Sequence, residues 1–101
     1  MNTVNHIAIL VPSVDKSARV LARMGYAVGA KEFWDGEGTA EIYVGESEKS
    51  VRLLLMEPVK PGAYRRAMDS RGPGLHHIAV DVRDLEIFIH SLVGSGWYLT
   101  P

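Results

Sequence analysis

The chain has 101 residues, enough for one domain that buries roughly 60–70% of the surface its unfolded form exposes. With 47% hydrophobic and 23% charged residues, a formal net charge of −1 and dispersed Lys and Arg, it has an ordinary globular composition, with no nucleic-acid footprint and no polybasic membrane contact. The absence of cysteine excludes disulfides, thiolate metal sites and a cysteine nucleophile; no apolar run nears the ~18–20 residues of a signal or membrane segment, so a cytoplasmic location is expected.

In chain order, residues 4–11 read as a strand rich in Val and Ile, ended by Pro12, which has no N–H for a ladder. Ser13 is the expected N-cap of a helix with Asp15 in its first turn, and Val14, Ala18, Leu21 and Met24 recur at helical spacing as its apolar face, up to a stop at Gly25. Tyr26–Phe33 reads as a second strand and Asp35-Gly36-Glu37-Gly38 as a turn. Thr39–Val44 alternates, with Ala40, Ile42 and Val44 on one face and Glu41 and Tyr43 on the other. After a charged turn at Glu46–Ser50, Val51–Met56 forms an apolar strand halted by Pro58. The first module, residues 1–58, is therefore β-α-β-β-β.

Residues 59–74 read as a linker, with loop signals at both ends and one or two helical turns over Ala63–Asp69. Its Arg65, Arg66 and Arg71 admit two readings, a solvated linker or a rim for phosphate or carboxylate groups. A strand over 75–82 follows, then Asp84 as an N-cap, Leu85, Phe88, Ile89 and Leu92 as a buried helix face, and a stop at Gly96.

The second strand-helix unit repeats the first. At an offset of 71 residues, His6/His77, Ile7/Ile78, Ala8/Ala79, Val11/Val82, Leu21/Leu92 and Gly25/Gly96 coincide. Side chains alternate across a strand, so Asn5, Ile7, Ile9 and Val11 share one face in the first copy and His76, Ile78, Val80 and Val82 in the second. His6, Ala8 and Leu10, and likewise His77, Ala79 and Asp81, point the other way. Two copies related by a pseudo-twofold would bring His6 and His77 to one cavity and keep His76 out of it. The competing reading is that each histidine is half-buried and tied to a carbonyl.

Asn5-His6-Ile7-Ala8, Glu41 and Gly74-Leu75-His76-His77-Ile78-Ala79 resemble the vicinal oxygen chelate (glyoxalase/bleomycin resistance) superfamily, and within it methylmalonyl-CoA epimerases and glyoxalase-like proteins. The resemblance implies an α+β fold of paired βαβββ modules curled around a cavity, with the second module, residues 75–101, incomplete. It also implies one divalent metal held by four side chains. His6 and His77 match the first and third ligands; the position of the second, normally Glu or Gln, is Leu54, and the chain ends before the fourth. Glu57 has the wrong parity to replace Leu54. Two histidines suit Zn²⁺, Ni²⁺ or Co²⁺ with further groups completing the shell, and are a poor site for Mg²⁺ or Mn²⁺.

Glu41 shares the parity of the cavity and matches the position that serves as a base in the epimerases; a solvated strand face is its other reading. Two functions follow from the resemblance. One is a metal-dependent isomerase or lyase that abstracts a proton next to a carbonyl, with a small-molecule substrate such as an acyl-CoA. The other is a non-catalytic module that binds a small molecule or dimerises, its metal site decayed and its cavity lined by Ala8, Leu10, Leu54, Met56 and Ala79. The short second copy leaves its helix and strand undercovered, so a homodimer is expected.

Overall fold

A computed structural model describes residues 3–46 and 51–95. Most of the charged turn after Glu46, the stop at Gly96 and residues 97–101 lie outside them. The elements are β1 (Thr3–Leu10), α1 (Val14–Arg23), β2 (Glu32–Trp34), β3 (Thr39–Val44), β4 (Arg52–Pro58), α2 (Ala63–Arg71), β5 (Gly74–Asp81) and α3 (Leu85–Ser91). The strands form one sheet in the order β2-β3-β4-β1-β5, with β1 parallel to β4 and every other pair antiparallel.

Local chemistry starts α1 and α3 where the sequence places their N-caps. Ser13 Oγ accepts from the Lys16 amide at 3.2 Å, and Asp84 Oδ1 accepts from the Ile87 amide at 3.1 Å. Glu57, turned away from Leu54, accepts the Val14 amide at 3.0 Å, so its carboxylate satisfies a free N–H at the positive end of α1. Met24, expected on the apolar face of α1, instead follows the helix as its C-cap and is exposed.

The strand expected over Tyr26–Phe33 is shorter and later. Residues before Glu32 touch β3 only at scattered points, through Val28 opposite Val44, Gly29 N–H donating to the Tyr43 carbonyl at 2.8 Å and Gly45 N–H donating to the Ala27 carbonyl at 2.8 Å. Gly25 at φ 95° turns the chain sharply out of α1, and a Cβ at Gly29 would lie 3.2 Å from the Tyr43 carbonyl oxygen. These glycines let the segment approach β3 without forming a continuous ladder.

Alternation divides the sheet into two apolar faces. On one, Val11, Val14, Ala18, Ala40, Ile42, Val44 and Leu55 form the core beneath α1. On the other, Ala8, Leu10, Leu54 and Met56 are buried, with Tyr64, Ala67 and Met68 of α2 packed against them. The linker thus contributes a full helix, and Arg65 is engaged structurally, donating to the Pro58 carbonyl at 2.8 Å.

The repeat is visible in the pairing of β1 with β5. Ile7 lies opposite Ile78, flanked by the pairs His6–Ala79 and Ala8–His77. A half-turn about an axis normal to the sheet, passing between Ile7 and Ile78, exchanges the flanking pairs and carries each residue onto its equivalent 71 positions away. Because the axis is normal to the sheet, His6 and His77 emerge on the same face.

The register slips twice, between Val4 and His6 and between Ala8 and Ile9. The first slip leaves Asn5 as an extra residue on β1; the second leaves His76 as an extra residue on β5, at the equivalent repeat position. A bulge of this kind re-aims a side chain. It overturns the simple alternation that placed Asn5 and His76 under the helices: Asn5 bonds His6 and Asp81, and the His76 ring lies 4.8 Å from the Tyr64 ring, centroid to centroid.

The helix face expected to be buried on α3 is not. No residue of this helix is buried; Leu85 is 63% exposed, and Phe88, Ile89 and Leu92 are half-buried. Its equivalent, α1, packs on β3 and β4, whereas α3 has no comparable packing on a described strand.

Candidate functional site

The face that carries α2 is only partly covered by it. Beyond the helix lies an open cleft of about 280 Å³, lined by His6, Trp34, Glu37, Glu41, Tyr43, Leu54, Met56, Tyr64, His77 and Ala79. Cross-strand register arranges the sheet residues in rows. Glu41 is level with Met56 and Leu10; Tyr43 is level with Leu54, Ala8 and His77; Arg52 is level with His6 and Ala79. Ala8 and Leu10, expected in the lining, are sealed beneath α2, while Leu54, Met56 and Ala79 remain in it.

Along these rows the cleft has two chemically distinct ends. At one end stand the imidazoles of His6 and His77, with ring centroids 5.7 Å apart, and Tyr43 lies edge-on to His6 at 5.6 Å. The Arg52 guanidinium stacks 4.1 Å from the centre of the Tyr43 ring. Burial lowers the pKa of His6, and His77 and Arg52 lower it further against the opposing pull of Asp81. His76 is likewise lowered by burial, then by His77 and Arg71.

At the other end stands Glu41, only 7% exposed. Burial pushes its carboxyl up to about 7. The Thr39 hydroxyl, donating at 2.6 Å, works against that rise, while a hydrogen bond shared with Glu37 and the charges of Glu37 and Glu32 add to it. The solvated-strand reading of Glu41 therefore does not describe this carboxyl. Tyr64 reaches the same end from α2, its phenol held protonated by burial and by the carboxylates of Glu37 and Glu41.

Sequence reasoning missed Thr39, Glu37, Trp34 and Tyr64. Glu37 and Trp34 flank a glycine turn that is pinned to the linker: the Gly38 carbonyl accepts from the Val59 amide at 2.8 Å and from the Lys60 amide at 3.2 Å, and Lys60 pairs with Asp35 at 2.7 Å. Only the Asp35–Gly38 turn signal hinted that this loop folds back. Tyr64 carried no signal, since a linker has no alternation to show which face it covers.

The resemblance implies a resident divalent metal. His6 and His77 supply two imidazoles, but the buried Leu54, in the row that runs from Tyr43 to His77, has no donor atom. Among the described residues no group of three or more His, Cys, Asp or Glu could hold a metal ion. The described donor set does not fit a resident divalent ion.

The model of the glyoxalase/bleomycin resistance protein/dioxygenase superfamily matches residues 5–101. The chain belongs to this superfamily. Solved structures share the fold: a hypothetical protein of Bacillus halodurans C-125 superposes with a TM-score of 0.78 at 24% identity, covering 94% of this chain and 69% of that one. Methylmalonyl-CoA epimerase of Mycobacterium tuberculosis gives 0.74 at 24% identity, covering 92% of this chain and 63% of the enzyme. A methylmalonyl-CoA epimerase in complex with methylmalonyl-CoA and ammonium gives 0.76 at 24% identity, covering 95% and 71%. The superfamily member described here thus spans about two-thirds of the length of these neighbours. No curated protein matches it. No described helix is long and apolar enough to cross a membrane.

Proposed function

We propose that the cleft binds a small acyl compound, such as an acyl-CoA thioester, and that Glu41 moves the proton on the carbon next to its carbonyl. The observation that carries this reading is the state of Glu41, a buried carboxyl poised near neutrality in an open cleft. A base works best when its pKa lies near the working pH. In the forward step the C–H bond breaks, its proton goes to the Glu41 carboxylate and the electron pair passes into the enolate. Tyr64, protonated in the same cleft, can donate a hydrogen bond to the developing oxyanion. Return of that proton from Glu41 restores the starting configuration, whereas a proton delivered from solvent to the opposite side of the carbon inverts it, Glu41 then releasing its own proton to water. Similarity to methylmalonyl-CoA epimerases supports the substrate class.

The test is solvent exchange. Incubated with methylmalonyl-CoA in D2O, the protein should wash deuterium into the carbon between the two carbonyls, and Glu41→Gln should slow that exchange by roughly 100-fold or more. Equal exchange in the variant removes Glu41 from the chemistry. A second reading is favoured by the buried Leu54: a binding module that holds its ligand without turning it over. Under that reading, methylmalonyl-CoA or a simpler thioester would bind with no deuterium incorporation at all. In either reading we propose a homodimer, supported by exposed apolar residues on β5 and α3, among them Leu75, Ile78 and Leu85.

A further inference from the structure

The two bulges do the same thing twice. On β1 the extra residue, Asn5, contacts the next residue's ring, with Asn5 Oδ1 2.8 Å from His6 Nδ1. On β5 the extra residue, His76, does likewise, with its Nδ1 2.7 Å from His77 Nδ1. In both copies the bulge engages Nδ1 of a ring that lines the cleft.

In the first copy the proton can be placed. Asn5 Nδ2 donates to Asp81 Oδ2 at 3.0 Å, which orients the amide so that Oδ1 points at His6. An amide oxygen can only accept, so the hydrogen of that contact belongs to His6 Nδ1. We infer that Asn5, held by Asp81, is a positioning residue that fixes His6 as the Nδ1–H tautomer and presents an unprotonated Nε2 to the cleft. The partner of one ring nitrogen sets the state of the other. The bulge is what makes this reach available, because in an unbroken strand Asn5 and His6 would point to opposite faces.

The inference rests on reading this cleft as the ligand site, and its test is independent of turnover. Long-range ¹H–¹⁵N correlation spectra of the full chain at pH 8 should show His6 Nδ1 as the protonated nitrogen and Nε2 as the bare one. In Asn5→Ala the acceptor is gone, and the Nδ1–H form should lose its majority to the Nε2–H form that free histidine prefers. A wild-type His6 protonated at Nε2, or an unchanged tautomer in Asn5→Ala, overturns the assignment. A chain that shows the expected tautomers yet exchanges no deuterium would leave the assignment standing and sink the catalytic reading.

Discussion

At the scale of single residues, Glu41 governs the behaviour with pH. Its carboxyl is raised from an ordinary 4.5 to about 7 in the folded chain, so between those values the native state holds a proton that the unfolded state has released. Stability contributed by this residue therefore falls as pH rises from about 4.5 to 7, by no more than about 3 kcal/mol. His6 and His76 act in the opposite sense, because their lowered values favour folding as pH rises towards 6.5. Comparing the wild type with Glu41→Gln isolates the carboxyl: thermal melts from pH 4.5 to 8 should show the variant gaining relative stability towards the alkaline end. Thr39→Val is the complementary probe. It deletes the hydroxyl that donates to Glu41 at 2.6 Å, so the carboxyl should titrate at a still higher pH, and the rising limb of any exchange activity should shift upward with it. A limb that stays in place would show that another group sets the profile.

At the scale of elements, sequence patterns located most pieces and misjudged those whose fate depends on neighbours. Ser13 and Asp84 announced their helices because a cap is a local bond, made within three residues. Ser13→Ala should cost about 1 kcal/mol in chemical denaturation, since α1 covers the main core, whereas Asp84→Ala should mostly fray α3 and appear as faster amide exchange at Ile87. Burial is not local. Leu85, Phe88, Ile89 and Leu92 have the spacing of a buried stripe, yet what lies opposite a stripe is decided by the rest of the sheet. Parity likewise put His6, Glu41 and His77 on one face correctly, because strands alternate strictly, but failed at Asn5 and His76, where the extra residue is invisible without the partner strand. Tyr64 and Glu37 reached the cleft from a linker and a turn, and neither type of segment has a period to read.

At the scale of the whole molecule, β5 ends the described sheet with Leu75, Ile78 and Val80 more than a third exposed. An exposed apolar margin strand is a template for pairing, and a closed twofold dimer would cover it. Light scattering behind a sizing column should report twice the monomer mass at micromolar concentration, and Ile78→Lys should return the monomer; a monomeric wild type would defeat the dimer. The pinned turn at Gly38 has a different reach. A Cβ there would meet Lys60 Cβ and the Lys60 carbonyl oxygen at 3.2 Å, on a backbone already at φ +69°. Gly38→Ala should therefore lift the turn from the linker, and the Val59 and Lys60 amides should lose their protection from hydrogen exchange. Since that one turn carries Trp34 and Glu37 and the linker carries Tyr64, their fastening sets how wide the mouth stands. Its loosening would register first as a change in how fast molecules come and go, with any proton transfer at Glu41 left to follow.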